Sequence, residues 1–328
     1  MNTLTRVLSA LLLTAWAIPA AADEDVLHIG LIGLDTSHVI AFSNILNDPD
    51  HGSHVPGGRI VAAYQGGSDD LPSSYERIDG FTEQLVENWG IELYDTIEEL
   101  CEHVDAILLT TVDGRKHLEQ ARPVFEAGLP MFIDKPLAAS LEDAVAIFDL
   151  ADEHDVPMFT ASSLRYWDSV IEMAETGVGT VRGAATTGPA SIDPTHPDLF
   201  WYGIHGIETL FTIMGPDCVT VTRVHTEDTD LVVGEWADGG VGTYRGIRNA
   251  SSPFRLTIFG TDEVIAEGLS GGYQGLMEVA MEMFQTGEAP LSREESLAIF
   301  AFMEAAEESK RRGGEPVTLA EVLEAAGG

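Results

Sequence analysis

The sequence predicts a doubly wound parallel α/β sheet followed by a second, α+β domain on an open, mostly antiparallel sheet. Three observations carry this. Residues 28–42, HIGLIGLDTSHVIAF, read as a buried strand running into a tight turn at Gly33, with a helix starting near Ser37. That is how a nucleotide-binding βαβ unit opens. Apolar strands then alternate with helical stretches as far as residue 160, the rhythm of a parallel sheet covered on both faces. Beyond that point strands follow one another closely. The expected partition is a signal peptide at 1–22, a Rossmann-type domain at 23–160 and an α+β substrate or oligomerisation domain at 161–328. The C-terminal helices are placed to pack back on the first domain.

The elements follow in order. The stretch 59–64, RIVAAY, is a second buried strand, and 75–89 has helical character after the polar loop 66–74. A short strand at 91–95 precedes a helix capped by Thr96, with Glu99 at the capping-box position. Residues 104–111, VDAILLTT, form a continuous apolar strand. A loop and helix at 112–128 end at Gly128. The strand 130–134 ends in Asp134-Lys135-Pro136, Ser140 caps a helix at 141–155, and 156–160 is a sixth strand. A connecting helix at 162–177 leads into strands at 178–188, 218–225, 231–238, 241–247 and 254–260, interrupted by one helix at 199–215. Helices return at 273–286, 293–312 and 318–326.

Charge narrows the partners. The 328 residues carry 17 basic against 54 acidic side chains, a net charge of −37, spread along the chain. Such self-repulsion opposes nucleic acid and anionic membranes as partners. It fits adaptation to high salt, where screening shortens the repulsion to about 3 Å at 1 M, or recruitment of a cationic partner. Arg6, the apolar run 8–18 and the small residues 20–22 form a Sec-type signal peptide, so export to the periplasm or outside is expected, with no span left after cleavage. Cys101 and Cys218 lack metal-ligand spacing and fit two buried thiols, with a disulfide as the alternative.

The opening turn departs from the dinucleotide pattern. Laid on Gly33, G-x-G-x-x-G meets Asp35 and His38 at its second and third glycines, and the end of the second strand, Tyr64-Gln65-Gly66, carries no acid for a ribose. A carboxylate about 4 Å from a phosphate costs about 4 kcal/mol at an effective dielectric of 20 unless a cation intervenes. Asp35 and His38 therefore face a cation-assisted phosphate, a metal or the substrate. Lys135 is one of only three lysines. At a buried strand end its ammonium is tunable by desolvation and suited to a hydroxyl or an oxyanion; an ion pair with Asp134 is the structural alternative. His205 suits proton transfer or a hydrogen-bonded place in the core.

Several pieces together resemble the glucose-fructose oxidoreductase / inositol dehydrogenase (Gfo/Idh/MocA) family over the mature length. They are the opening strand and turn, TTVDGRKHLEQA with His117, FIDKPLA, and a helix with Gly203 and His205. The resemblance implies that Lys135, in a D-K-P version of the family's E-K-P motif, stands beside the nicotinamide and the substrate hydroxyl. It implies that His205 shares the proton work, with Trp201 replacing the acid of D-x-G-x-H. It also implies a cofactor site of Gly33, Asp35, Thr36, Ser37, His38, Thr111, His117, Asp134 and Lys135, holding NAD or NADP. Around the substrate, the expected residues are Arg165, Tyr166, His196, Trp201 and Glu208. Arg165 and Tyr166 alternatively make an interdomain salt bridge, and His196 could stand in for the missing acid.

Two functions remain open. One is an exported nicotinamide-dependent oxidoreductase acting on a sugar, polyol or derivative. The other is a non-redox lyase, epimerase, hydrolase or sugar-binding protein, in which Asp35, His38, Asp134, His205 and Glu208 border a polar cleft and could hold a divalent metal. A homo-oligomer through the open sheet is the expected assembly.

Overall fold

The structure is a computed structural model and describes residues 26–328. The expected signal segment lies outside the described residues. The first half runs β1 (Leu27–Ile32), α1 (His38–Asn47), β2 (Gly58–Tyr64), α2 (Pro72–Tyr75), α3 (Ile78–Trp89), β3 (Glu92–Tyr94), α4 (Ile97–Cys101), β4 (Ala106–Leu109), α5 (His117–Glu126), β5 (Met131–Asp134), α6 (Leu141–His154) and β6 (Met158–Ala161). Its strands order β3-β2-β1-β4-β5-β6, all parallel. The order reverses between β1 and β4, the switch point at which open α/β sheets bind ligands.

The second half runs α7 (Asp168–Glu175), β7 (Val181–Pro189), α8 (Ile204–Met214), β8 (Cys218–His225), β9 (Thr229–Trp236), β10 (Val241–Ile247), β11 (Arg255–Gly260), β12 (Val264–Gly268), α9 (Gln274–Thr286), α10 (Arg293–Arg311), β13 (Val317–Thr318) and α11 (Leu319–Ala325). Its seven strands order β12-β11-β7-β10-β9-β8-β13, with β7 and β10 parallel and every other pair antiparallel. The two-class architecture is the one the sequence predicts.

Local departures have local causes. The helix expected at 162–177 breaks into a 3-10 turn, Ser163–Tyr166, and α7. Trp167 between them is extended, and its indole N–H donates to the Gly272 carbonyl at 3.0 Å. The edge strands β12 and β13 are additional; Val317–Thr318 is too short to carry a period, and β12 is mostly exposed. Caps at Thr96, Ser140, Ser292 and Thr318 each accept the N–H three residues on, the usual satisfaction of a helix's first orphan donors.

One face of the parallel sheet packs Leu31, Leu108 and Phe132 beneath α1 and, from far along the chain, beneath Leu276, Met277 and Met281 of α9. The other face continues without a break through α5, α6 and α10 into the second sheet, reaching Val221, Val232 and Tyr244. Helix α8 lies close on that sheet because residue 206 is glycine: a Cβ there would stand 2.3 Å from the Tyr244 ring. Cys101 and Cys218 are buried free thiols, raised by burial to about 11 and about 12. Among the described residues no helix is long and apolar enough to cross a membrane. Val219, Val224, Phe259 and Val264 of the second sheet are exposed.

Beside α8 sits a buried ion cluster. Arg223 on β8, 1% exposed, donates to Asp230 at 2.8 Å, to Glu307 of α10 at 2.7 Å and to Asp198 at 2.7 Å. Glu307 also accepts the Leu199 N–H at 3.1 Å. The cluster thereby fixes the start of the wide π-helical turn Leu199–Gly203 that feeds α8.

Candidate active site

The cleft opens where the ends of β1 and β5 meet α8. At the end of β1 the chain turns at Gly33, φ +85°, where a Cβ would stand 2.4 Å from the Thr111 Cα. Only glycine tolerates both the left-handed backbone and that approach. At the end of β5, Asp134 is buried, accepts the Lys135 N–H at 2.9 Å and pairs with the His38 ring. Burial alone would raise the Asp134 carboxyl; His38 and Lys135 outweigh it and hold it below its ordinary value. From the second sheet side, the π-helical turn presents Trp201 and Tyr202, and the first turn of α8 presents His205.

A cavity of about 440 Å³ lies among these elements. Thr36, Ser37 and His38 border it at the start of α1, Lys135 and Pro136 on the floor, and Trp201, Tyr202 and His205 opposite. Trp167, Phe254 and Tyr273 supply aromatic walls. Lys135 is half-buried, and its ammonium has no hydrogen-bond or ion-pair partner among the described residues; it stands 5.8 Å from the centre of the Tyr202 ring. Burial lowers its pKa against the opposing pull of Asp134. The His205 ring lies 4.9 Å from the same Tyr202 ring, near enough to Lys135 for that charge to act on it. Its Nδ1 meets the Ser162 hydroxyl at 2.6 Å, which leaves Nε2 for the cavity. Burial, reinforced by Lys135 and His38, holds the imidazole well below its usual range and therefore neutral.

The other expected site residues are placed differently. Asp35 is fully buried and does not border the cavity. Its oxygens accept the Val112 N–H at 2.9 Å and the Ser74 hydroxyl at 2.6 Å, and burial raises its pKa. It faces no phosphate, metal or substrate. Thr111 is buried under Gly33. His117 is sealed between the Thr111 and Leu137 carbonyls, 2.7 and 3.0 Å from its ring nitrogens, so it braces two loops rather than touching a cofactor. Arg165 pairs with Glu208 at 3.0 Å and Glu295 at 2.8 Å, an ion pair within residues 161–328 rather than the expected interdomain one. Glu208 also accepts the Ser162 N–H, and neither it nor Tyr166 borders the cavity. His196 is buried behind Trp201; the Gly114 N–H donates to its Nε2 at 3.2 Å, which puts its proton on Nδ1 facing Thr195. It cannot replace the missing acid. Of the five groups offered as a metal set, only His38 and His205 reach the cavity, and among the described residues no cluster of three or more such groups has a metal-binding arrangement.

Sequence reasoning missed the segment 66–77. It folds back over the strand ends. The Leu34 N–H donates to the Gln65 carbonyl at 2.8 Å, and Gly66 lies so close to Gly33 that a Cβ on it would be 3.3 Å from the Gly33 Cα. Ser74 reaches Asp35, and Ser68 donates to Asp113 at 2.6 Å. Arg115 clamps Asp113 and Asp70 at 2.7 Å each. Burial would raise Asp113, but Arg115 and Ser68 bring it down to about 2. The same segment delivers Ser73 and Arg77 to the cavity wall.

These contacts test the nicotinamide cofactor. A dinucleotide on such a sheet lies with its phosphates at the first turn of α1 and its adenosine at the end of β2. The Lys135 end of the cleft has room for a ring. Towards the end of β2, the Ser68–Asp113 and Ser74–Asp35 hydrogen bonds join the strand-end loops, and Tyr64, Gly66, Lys116 and Gln120 border a separate hollow of about 440 Å³.

Comparison with known proteins adds to this picture. Residues 70–162 match the Gfo/Idh/MocA family, described as an oxidoreductase family with an NAD-binding Rossmann fold. No curated protein matches the chain. Among solved structures, scyllo-inositol dehydrogenase from Lactobacillus casei with bound NAD(H) and scyllo-inositol is 14% identical, covers 90% of this chain and 99% of its own, and superposes with a TM-score of 0.73. A candidate myo-inositol dehydrogenase from Sinorhizobium meliloti is 17% identical over 89% of this chain and 99% of its own, TM-score 0.74. An oxidoreductase from Agrobacterium radiobacter in complex with NAD+, L-tartaric acid and magnesium is 18% identical over 90% and 99%, TM-score 0.70. The resemblance drawn from the sequence holds in residues 70–162, and the whole fold is the one these structures have.

Proposed function

We propose, from the premise that this chain is of the Gfo/Idh/MocA oxidoreductase type by family match and fold, that it is an enzyme acting on a sugar, polyol or derivative. Lys135 and His205 move the proton of a substrate hydroxyl. One observation carries this reading: a partnerless ammonium and a neutral, Ser162-anchored imidazole stand beside the same Tyr202 ring at the floor of one cavity. A hydroxyl between them can give its proton to His205 while Lys135 stabilises the oxyanion. Trp167, Trp201 and Phe254 offer apolar faces to the C–H face of a pyranose or cyclitol.

In the relatives the nicotinamide takes up a hydride; the segment 66–77 favours a second reading here. The same proton chemistry without hydride transfer is that of a lyase or epimerase, and the segment 66–77, bonded to Asp35 and Asp113 at the strand ends, supports it. One experiment separates the two. The purified mature protein is heat-denatured, and the supernatant is examined for NAD(H) or NADP(H) by absorbance near ~340 nm and by mass spectrometry, with a binding titration alongside. Released or bound cofactor supports the oxidoreductase; none leaves the non-redox enzyme. Lys135→Met tests both, since an unchanged turnover would remove Lys135 from either mechanism. Export through residues 1–22 belongs to the same proposal, and the mass of the mature protein's N-terminus tests it.

A further inference from the structure

The cavity differs from the protein around it. Of 328 residues 54 are acidic, yet no aspartate or glutamate borders this space. Two full cations do, Arg77 and Lys135, and Lys135 has no anionic contact at its ammonium. Arg77 is fixed by its own segment: its Nε donates to the Ser73 carbonyl, and its guanidinium lies 5.9 Å from the centre of the Phe81 ring. It is the only lysine or arginine between Arg59 and Arg115. No carboxylate pairs with it among the described residues. Its positive charge also acts on Lys135, lowering that group's affinity for its proton. Two like charges facing one cavity repel each other, and an anion between them relieves that repulsion.

The wall beside Arg77 suits that anion. Thr36 and Ser37 carry hydroxyls at the first turn of α1, Ser37 makes no side-chain cap to the helix, and the Ser73 Oγ is buried without a partner. Asp35, which would have repelled an anion here, is turned away onto Ser74 and Val112. The segment 66–77 thus performs two tasks: it ties down Asp35 and Asp113 at the strand ends and places an arginine on the cavity wall.

We propose that the cavity takes an anionic polyhydroxylated ligand, a sugar acid or sugar phosphate, with its charged group held by Arg77, Ser73 and the Thr36–Ser37 turn and a hydroxyl at Lys135 and His205. This rests on the reading of the cleft as a sugar or polyol site. Carboxylate and phosphate share the recognition chemistry, and the test distinguishes them.

The test is calorimetric titration of the full mature chain with D-glucuronate, D-glucose 6-phosphate, D-glucose and myo-inositol, for the unmodified protein, Arg77→Gln and Arg77→Lys. A charge-assisted contact predicts about tenfold or more tighter binding of one anionic sugar than of its neutral counterpart. Arg77→Gln is expected to erase that preference and Arg77→Lys to keep part of it; circular dichroism of each variant verifies folding. The better of glucuronate and glucose 6-phosphate identifies the charged group. Equal or tighter binding of glucose or inositol overturns the inference while leaving the sugar or polyol reading intact. Binding of none of the four sugars overturns both. Titration with NAD+ closes the set: tight binding lost in Arg77→Gln would assign Arg77 to a dinucleotide and overturn the inference.

Discussion

Two cations of this protein occupy opposite situations. Arg223 is enclosed by Asp198, Asp230 and Glu307, each within 2.8 Å. Lys135 stands beside a cavity with only an aromatic ring near its ammonium. Both have lost much of their water. For Arg223 the loss is offset by three carboxylates, so its charge holds strands β8 and β9, helix α10 and the turn before α8 together. For Lys135 the pull of Asp134 opposes it only in part, and no ion pair or hydrogen bond meets its ammonium among the described residues. The contrast separates a charge saturated by the fold from one that the fold leaves without a partner. It also shows why the same acid-rich composition produces both a saturated cluster and a carboxylate-free cleft.

Four measurements break or sharpen the contrast. The largest effect is expected from Arg223→Met, which leaves the buried Glu307 without its cation, while Asp230 keeps Arg248 and Asp198 keeps Lys310. Removing one partner of a buried ion network costs about 3–5 kcal/mol, read from urea unfolding. Lys135→Met is expected to leave that midpoint unchanged or raised while lowering turnover on a substrate about 100-fold or more. If Lys135→Met destabilises as much as Arg223→Met, the distinction collapses.

Asp35→Asn comes next. Both Asp35 oxygens accept hydrogen bonds, and an amide presents N–H to one of the two donors. Leaving such a buried pair unsatisfied costs about 1–3 kcal/mol, with Ser74→Ala smaller but in the same direction. A stable Asp35→Asn protein would remove the bridge that holds the segment 66–77 down.

The smallest effect is on pH. His117, His196 and His205 are all held below the ordinary imidazole range, chiefly by burial. The unfolded chain then binds protons that the folded chain does not, so stability falls as pH drops through about 6.5. Asp113 adds the carboxylate counterpart: lowered to about 2, it contributes stability above about 4 that is lost as pH falls towards 2. Urea midpoints between pH 7.5 and 5 should fall with the unmodified protein, and less in His196→Asn. A flat profile would contradict neutral buried imidazoles.

What could be read in advance was what neighbouring residues determine. The strand and turn at Gly33, the caps at Thr96 and Ser140, and the Asp134-Lys135-Pro136 strand end carry their signals within a few positions. Asp35 could not be read this way. Its partners Ser74 and Val112 are 39 and 77 residues away, and from the sequence its charge could only be set against a phosphate that the fold turns it away from. His117, Arg165 and Glu208 share this history: each is a polar residue expected at the site, yet each makes its bonds inside the protein. Arg77 had a usable signal, its isolation among the acids of 69–87, but only the folded loop reveals that it borders the same cavity as Lys135.

Helix α9 has a consequence for how the molecule comes into being. It follows the entire second sheet in sequence, yet Leu276, Met277 and Met281 cover the first sheet alongside α1, and Tyr273 lies 4.9 Å from His38. During synthesis the N-terminal half therefore emerges with one apolar face covered only in part by α1, and stays so until residues 274–286 arrive. Domains that fold as units during translation do not wait in this way. Here the order of assembly runs backwards through space: the segment made late seals the part made early, and the wall holding Tyr273 closes over the cleft only then. A truncated chain would lack more than a domain; its first sheet would have lost its lid.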